Sequence, residues 1–425
     1  MLPSVDTSEK DFEKYEKFIP EEMFNEIKEL ATELEGLKVT MINATPKGGG
    51  VAEVLKNLIP LMEDIGLEAE WHVIPPHEDF FELTKSMHNA LQGEQFNLTF
   101  EERKLYQHHM EKTADLMQDM ESDVWVMHDP QPAGVIQYLS DKECYPMISR
   151  IHIDTTNPGP ESWNFIEGFL LQYDKIIFHC KKFVHDDVFG DKVETMPPAI
   201  NPFTDKNKKL EQQETNAILE SFGIDTDKPL VSQISRFDPW KDPEGVVKAY
   251  HQAKQEIPDL QLAYLGLFLA ADDPEAQEVY ERTKEKVKPE DDIYLFTDPS
   301  RLGSLSVGKF VNAFQAGSDV VMQKSTREGF GLSVTEAMWK GTPVIGGEVG
   351  GIKLQIEDGK NGYLVSSPEE AAEKTVKLIN NPDLREKLGT AARETVKEKF
   401  LMPRLLRDYL RMFKNLDEQG EIERC

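Results

Sequence analysis

The sequence predicts an α/β protein of two doubly wound, Rossmann-like domains that face each other across a cleft. Short strand-like runs alternate with amphipathic helical stretches along most of the chain, which is the pattern of parallel α/β domains. Three prolines between Met196 and Pro202 interrupt this alternation near the middle, because proline continues neither a helix nor a central strand. At 425 residues, the chain also exceeds what one hydrophobic core usually supports.

Composition narrows the class of protein. The formal net charge of −29 argues against broad electrostatic contact with nucleic acid or anionic lipid. Cys144, Cys180 and Cys425 show neither a disulfide pattern nor metal-ligand spacing, as expected in a reducing compartment. An acidic stretch rather than a secretory signal follows Met1, and the longest apolar run, over 262–271, is too short to span a bilayer. We therefore expect a cytoplasmic protein, and we interpret that run as a buried strand.

The N-terminal half predicts a helical extension followed by an α/β domain. Residues 1–36 are densely charged and carry apolar residues at helical spacing. The domain over 37–198 opens with a strand at 37–43, the glycines 48–50 and a helix at 51–65, which is the first unit of a parallel α/β fold. Further strands are predicted at 70–74, 124–127, 147–152 and 175–179.

After the prolines, a second α/β domain is predicted over 199–398. Its predicted strands lie at 230–234, 261–267, 293–296, 320–322, 343–346 and 362–365. The remaining residues, 399–425, predict a C-terminal helix whose apolar side over 403–416 is expected to pack back on the N-terminal domain.

The most specific motif lies over 327–340, between a predicted strand and an amphipathic helix. Gly329 and Gly331 allow the main chain to approach a ligand, and the helix offers free N–H groups to an anion. Glu328 precedes this turn and Glu336 lies one turn inside the helix, so both carboxylates suit the hydroxyl groups of a sugar and a ribose. The alternative is a plain turn with a solvated Glu328 and a Glu336 that only favours the helix dipole.

A second motif lies over 235–242, directly after the predicted strand at 230–234. It places Arg236 and Lys241 in a turn at the carboxyl end of that strand. In so acidic a chain, two such cations suit a diphosphate and its stabilisation as a leaving group. The alternative is a surface turn in which Lys241 is solvated.

Polar residues also follow strands of the N-terminal half. His128 and Asp129 follow the strand at 124–127, while His152 and Asp154 end the next one. Carboxyl ends of neighbouring parallel strands meet at one sheet edge, so these side chains are expected to point into one cleft. A structural role is the alternative, since a lone histidine is more often structural than catalytic.

The glycines 48–50 lead into a helix and could form a phosphate site there. The Gly-Lys-Ser/Thr of a P-loop does not follow them, and a simple tight turn is the alternative.

Together, the two C-terminal motifs resemble the nucleotide-sugar domain of the retaining GT-B glycosyltransferases of family 4 type, a family that includes sucrose and glycogen synthases. Glu328 and Glu336 match its E-x7-E glutamates, and Arg236 and Lys241 match its phosphate-binding cations. With the segments 48–53, 88–93, 128–132 and 150–154, most of the chain is similar to the trehalose-forming branch of this family. The loop after His152 and the segment 304–307 depart from the pattern.

The resemblance implies a GT-B fold, with an acceptor domain before a nucleotide-sugar domain, and a set of site residues. It implies the catalytic residues His152, Arg236, Lys241 and Glu328. It implies nucleotide-sugar contacts from Gly49, Gly50, Gly329, Phe330, Gly331, Leu332 and Glu336. It implies acceptor contacts from Asp129, His128 and Gln131, with Gln92 as a further polar candidate.

The resemblance also implies a reaction, in which glucose passes reversibly from an NDP-glucose to glucose and gives trehalose with retention of the anomeric configuration. No cofactor or metal is expected, because cations and amides replace a metal and the Asp-x-Asp sequence at 225–227 lies where a turn is predicted. The expected partners are NDP-glucose and a small sugar acceptor, glucose or trehalose, without nucleic acid or membrane, and a homodimer is a further expectation.

Four alternatives stay open. They are a trehalose phosphorylase, a retaining transferase with another acceptor such as that of the sucrose type, a nucleotide-sugar 2-epimerase, and a catalytically silent sugar-binding module.

Overall fold

The structure is a computed structural model that describes residues 1–139, 145–185, 187–267 and 274–422. The chain forms two compact units, the first of Met1–Pro198 with Met402–Cys425 and the second of Ala199–Leu401. Each unit has a six-stranded parallel sheet covered by helices, so the predicted fold class of two doubly wound α/β domains is confirmed. Cys144, Cys425 and positions 268–271 of the apolar run lie outside the described residues.

The sheet of the first unit has the strand order β2-β1-β3-β4-β5-β6. Its strands are β1 (Lys38–Asn43), β2 (Glu68–Val73), β3 (Val124–His128), β4 (Met147–Arg150), β5 (Lys175–Phe178) and β6 (Val193–Thr195). Its first helices are α1 (Glu21–Glu33), α2 (Gly50–Asp64), α3 (Glu78–Leu91), α4 (Phe100–Met117) and α5 (Pro160–Leu170). From β1 the strand order extends to β2 on one side and to β3 on the other, so the switch point of the sheet lies between β1 and β3. Ligands of doubly wound folds bind beyond the strand ends at such a point.

Two features of this unit were not predicted. The strand β6 has no buried residue, so it lacks the apolar run that marks the other strands. Residues near the N-terminus lie along the edge of β2, where Val5 N donates to Trp71 O (2.8 Å) and Val73 N donates to Pro3 O (3.0 Å). Main-chain pairing of this kind leaves no periodic signal in so short a segment.

The sheet of the second unit has the strand order β12-β11-β10-β7-β8-β9. Its strands are β7 (Leu230–Ile234), β8 (Gln261–Leu265), β9 (Ile293–Phe296), β10 (Val320–Gln323), β11 (Val344–Gly347) and β12 (Tyr363–Val365). Its helices are α6 (Gln212–Ser221), α7 (Pro243–Lys254), α8 (Pro274–Lys284), α9 (Val307–Gly317), α10 (Leu332–Lys340), α11 (Ile352–Gln355), α12 (Pro368–Ile379) and α13 (Pro382–Lys399). The switch point of this sheet lies between β7 and β10, which are hydrogen-bonded neighbours.

Two predicted strands end two residues earlier than expected. The apolar run at 262–271 is strand only as far as Leu265. The strand β4 ends at Arg150, two residues before the predicted end, because the main-chain N–H of His152 donates to the Asp129 carboxylate (2.8 Å) instead of to a neighbouring strand. This places His152 in the loop beyond the sheet.

The last helix, α14 (Met402–Glu418), returns to the first unit and packs against α1 and α2. Its buried side carries Leu405, Leu406, Tyr409, Leu410 and Phe413. At its start, the Arg404 guanidinium donates to the carbonyls of Pro197 (2.7 Å) and Pro198 (2.9 Å). Within the described ranges, no helix is both long and apolar enough to cross a membrane.

Candidate active site

The two C-terminal motifs meet at the switch point of the second unit. One follows β7 and the other follows β10, and these strands lie side by side. Thr326 N donates to Trp240 O (2.7 Å), and the Arg327 guanidinium lies over the Trp240 ring, 5.6 Å from its centre. The structure therefore brings the cation loop, residues 235–242, and the glutamate loop, residues 324–331, into direct contact.

At the centre of this contact, Lys241 and Glu328 form an ion pair. Lys241 Nζ lies 2.7 Å from Glu328 Oε2, and the two side chains are 18% and 11% exposed. Ser325 Oγ donates to the same carboxylate oxygen (3.2 Å). A glutamate beside a phosphate would ordinarily repel it, and the lysine offsets this repulsion.

Arg236, the other predicted cation, lies in a different environment. Its side chain is 67% exposed, and one guanidinium nitrogen lies 3.4 Å from Asp238. The main chain around it is held from the sheet, since Tyr264 OH donates to Arg236 O (3.2 Å) and Gln233 Nε2 donates to Lys241 O (2.9 Å). The loop is thus anchored by buried side chains, while the Arg236 guanidinium extends from it.

The glycine turn after Glu328 is tightly packed. Gly331 has a φ of 83°, a left-handed conformation that favours glycine, and it directly precedes α10. A Cβ on Gly351 would lie 2.3 Å from Phe330 Cα, so only glycine allows this approach of the two main chains. Gln355 Nε2 donates to Phe330 O (2.6 Å) and closes the turn from behind. These contacts hold the main chain in front of the N-terminus of α10 in one position, and a helix N-terminus is suited to bind an anion.

Glu336, the predicted ribose contact, is buried with only 2% of its surface exposed. Lys206 Nζ lies 3.2 Å from its Oε1, and Gln315 Nε2 lies 3.4 Å from its Oε2. Lys206 was missed, because 130 positions separate it from Glu336 and a lysine in a charged segment reads as a solvated surface residue. Its proximity to Glu336 is visible only in the folded unit.

A second missed cation is Lys324, directly after β10. It is buried with 5% exposure and forms an ion pair with Asp242. Asp242 also accepts from Gly245 N (3.1 Å) at the start of α7. This pair joins the end of β10 to the helix after the cation loop.

In the first unit, the polar residues after β3 and β4 also come together. Asp129 has a φ of 69° and accepts the main-chain N–H of His152 (2.8 Å), while its own N–H donates to Arg150 O (2.8 Å). Burial raises the pKa of Asp129 to about 7, although the His152 N–H and the Arg150 charge act in the opposite direction. The Asp129 carboxyl therefore titrates near neutral pH.

Three histidines form a chain beside Asp129. His128 Nδ1 lies 2.9 Å from His152 Nε2, and His152 Nδ1 lies 3.3 Å from His179 Nε2. Burial, followed by the Arg150 charge, lowers the pKa of His128 and of His152 well below the usual value. His179 was missed, although its position directly after β5 is the same signal that identified the other two.

The other predicted residues of the first unit lie in loops and at helix ends. Gln131 is half-buried, and its Oε1 has no hydrogen-bond partner in the part of the chain that the structure describes. Gln92 ends α3, with its Nε2 3.5 Å from His88 O. The glycines 48–50 are exposed, and Gly50 is the first residue of α2. Asp154 accepts from Thr156 N (3.0 Å) within its own loop.

Across residues 1–139, 145–185, 187–267 and 274–422, no group of three or more His, Cys, Asp or Glu side chains could hold a metal ion. In the Asp-x-Asp sequence, Asp225 accepts from Asp227 N (3.1 Å) and lies 3.4 Å from Lys228, which is the geometry of a turn.

Known proteins match both halves of the chain. Residues 41–185 match the family described as trehalose synthase, N-terminal domain, and residues 214–395 match glycosyl transferases group 1. The chain is 42% identical over 402 residues to the trehalose synthase of Thermococcus litoralis. These residues make up 94% of this chain and 96% of the relative. It is 40% identical over 419 residues to the trehalose synthase of Rubrobacter xylanophilus, with 98% and 99% covered.

A solved structure extends the likeness to the fold. The sucrose-phosphate synthase of Thermosynechococcus elongatus superimposes with a TM-score of 0.69 at 16% identity, over 90% of this chain and 100% of that one. The expected GT-B architecture and the expected class of enzyme are both confirmed. The chain is a glycosyltransferase and belongs to the trehalose synthase family.

Proposed function

We propose that the protein transfers glucose from an NDP-glucose to glucose, forms trehalose with retention of the anomeric configuration, and also catalyses the reverse reaction. The observation that carries this proposal is the site at the β7–β10 switch point. There, a glycine turn at a helix N-terminus lies beside two glutamates whose charges are offset by Lys241 and Lys206. Membership in the trehalose synthase family supports the choice of sugar.

On the donor side, the diphosphate would bind at the N-terminus of α10. The amides of Gly329 to Leu332 would donate to the anion there, and Lys241 would be shared between the Glu328 carboxylate and a phosphate. The exposed Arg236 side chain supplies a second cation. As the bond between the sugar and the diphosphate breaks, these groups stabilise the charge that grows on the leaving oxygen.

The sugar itself would react without a protein nucleophile. The C1–O bond breaks with oxocarbenium character, the acceptor hydroxyl attacks from the same face, and its proton passes to the departing phosphate oxygen. Glu328 would hold a hydroxyl of the donor sugar and Glu336 the ribose. We propose that no metal is required, because the lysines, Arg236 and the amides already supply positive charge.

On the acceptor side, Asp129 would accept a hydrogen bond from an acceptor hydroxyl, with His128, Gln131 and Gln92 in supporting roles. The two ring nitrogens of His152 each contact another histidine, so the ring has no further nitrogen for a sugar in this arrangement. His152 would therefore orient the donor sugar through its main-chain carbonyl and the edge of its ring.

The test is the reverse reaction. The protein is incubated with trehalose and, separately, with ADP, UDP and GDP, in the presence and absence of EDTA. We expect a sugar nucleotide with an α-linked glucose from at least one of them, and the same yield with the chelator. Formation of glucose 1-phosphate from trehalose and inorganic phosphate, with no product from any nucleotide, would make the protein a phosphorylase instead.

A further inference from the structure

A histidine stands at the carboxyl end of each of three neighbouring strands in the first unit. His128 is the last residue of β3, His152 follows β4 by two residues, and His179 directly follows β5. These strands are adjacent and parallel, so their ends lie in one row. The ring centres are 5.2 Å and 5.3 Å apart, close to the spacing between strands.

The middle histidine is held at three points. Its main-chain N–H donates to Asp129 (2.8 Å), its Nε2 contacts His128 Nδ1 (2.9 Å), and its Nδ1 contacts His179 Nε2 (3.3 Å). His128 is 1% exposed and His179 is 2% exposed, whereas His152 is half-buried. The two outer histidines are therefore buried, whereas His152 between them keeps part of its surface exposed.

The hydrogen atoms in this chain are coupled. A neutral imidazole carries one N–H, and each contact between two ring nitrogens uses one hydrogen. If His179 donates from Nε2, a neutral His152 must carry its hydrogen on Nε2 and donate to His128. If His179 accepts instead, His152 carries its hydrogen on Nδ1. Because burial keeps the pKa of His152 low, the neutral ring is the relevant form at neutral pH.

We propose that His179 is a positioning residue of the sugar site: it fixes the ring orientation and the tautomer of His152, and with them the loop after β4, without touching the sugar. The kinetic consequence rests on the proposed glucose transfer, whereas the effect on the His152 ring does not. The contact of His179 at Nδ1 adds a second constraint: with both contacts made, the hydrogen of His152 can move to its other nitrogen only if those of His128 and His179 move with it.

The experiment uses the full chain with ¹⁵N in the histidine rings. His179→Leu removes the contact, and His179→Gln keeps a polar group near the position of Nε2. His109→Leu is the matched control, since His109 is also a buried histidine of the first unit but packs on Phe80, 4.0 Å between ring centres. The readouts are the ring ¹⁵N signals of His152, the kcat and KM for the acceptor, and NDP affinity by calorimetry.

We expect one tautomer of His152 in the unchanged protein and a mixture or the other tautomer in His179→Leu. The loss of one hydrogen bond of this kind should lower kcat about fivefold to tenfold, with NDP affinity unchanged because His179 is not among the residues proposed to contact NDP. His179→Gln should recover most of the rate, and His109→Leu should leave both the His152 signals and kcat as they are.

The proposal is overturned if the His152 signals in His179→Leu equal those of the unchanged protein, or if His179→Gln is as impaired as His179→Leu. Should His179→Leu fail to fold by circular dichroism, the His179→Gln spectra decide, since a retained tautomer supports the positioning role and a lost one opposes it. If the unchanged protein transfers no glucose at all, the proposed function fails, but the ring signals still decide the role of His179.

Discussion

Individual side chains of the second unit show how an acidic protein can accept an anionic ligand. Glu328, Glu336 and Asp242 each lie within ion-pair distance of a lysine. The pairs offset the negative charge of the carboxylates at the site, although the whole chain carries −29. Local pairing rather than overall charge therefore determines what the site can bind.

Removing either predicted phosphate cation should slow the reaction. We expect Lys241→Ala and Arg236→Ala each to reduce turnover at least about tenfold, because each charge gains value as the leaving group ionises. The measurement is kcat, with circular dichroism as a check of the fold. Lys248→Ala is the matched control. Lys248 lies on α7 and forms a surface ion pair with Glu369 of α12 (2.7 Å). Near-normal rates in both site variants would refute the phosphate role.

From the Lys206–Glu336 pair we expect different effects of the two substitutions, one on NDP binding and the other on the stability of the second unit. Glu336→Ala should weaken NDP binding about tenfold to a hundredfold, because a hydrogen bond to a charged group contributes about 1.5–3 kcal/mol. Lys206→Ala should destabilise the second unit by about 1–3 kcal/mol, because it removes a partner of a buried carboxylate. A double-mutant cycle by calorimetry and denaturation measures the coupling, and strictly additive effects would contradict the pairing.

Asp129 predicts a pH dependence of stability. Its pKa is 3.8 in a model peptide and about 7 in the folded protein, so the folded state holds an extra proton between these values. Unfolding then releases a proton, and this contribution to stability falls as pH rises from about 4 to about 7. We expect Asp129→Asn to lack this fall.

The measurement for Asp129 is the difference between the unfolding free energies of the two proteins at several pH values. The difference removes the opposite contribution of His128 and His152, whose lowered pKa values reduce stability as pH falls below 6.5. Asp129→Asn should gain stability relative to the unchanged protein as pH rises through that window. A difference that stays constant with pH would show that Asp129 has an ordinary pKa.

At the scale of elements, the conformation of the glutamate loop depends on the elements that precede, follow and contact it. The glutamate loop lies between β10 and α10 and is closed from behind by Gly351, directly before α11. Two main chains approach so closely there that a methyl group does not fit. The sequence over 328–331 alone contains no sign of this second backbone.

Gly351→Ala tests that closure. A Cβ at this position would lie 2.4 Å from Gly329 O, so the glycine turn must move. We expect a loss of stability of about 1–3 kcal/mol and weaker NDP binding, because the α10 amides lose their fixed position. Gly168→Ala in α5 is the control, since a Cβ there meets nothing within 4 Å and alanine favours a helix. Equal behaviour of the two variants would argue against a tightly packed turn.

At the scale of the whole molecule, the helix α14 belongs to the first unit although it follows the second unit in the sequence. The helix α14 supplies a large apolar face to that unit, and Tyr409 OH lies 2.6 Å from the guanidinium of Arg150 at the end of β4. Arg150 is fully buried, and a buried guanidinium without this partner would be costly. The helix α14 thus supports the strand β4, which precedes His152.

A chain ending at Leu401 should therefore damage the first unit selectively. We expect that unit to lose its protection against hydrogen exchange, because α1 and α2 would expose apolar surface, while the second unit keeps most of its protection. A chain ending at Gly420, after α14, is the control and should resemble the full protein. Equal loss in both units, measured by mass spectrometry, would contradict this assignment of α14.

Sequence alone was enough for the fold class and for the position of the main motifs. The period of apolar residues distinguishes strands from helices, and glycines and charged residues between them mark the loops at the carboxyl ends of parallel strands. This reasoning predicted Glu328, Lys241, Asp129 and His152 as site residues, and the resemblance that these motifs carry led to the family. All of these signals lie within short stretches of chain.

Only the tertiary structure decided which of these residues touch and what supports them. The contact of Lys241 with Glu328 joins positions 87 apart, and Lys206 reaches Glu336 from a segment that shows no motif. His179 becomes relevant because β5 lies beside β4, and the burial that moves the pKa of Asp129 comes from the packed unit around it. Periodicity encodes how each segment folds locally, whereas partners distant in sequence are set by strand order and packing, which no single segment contains.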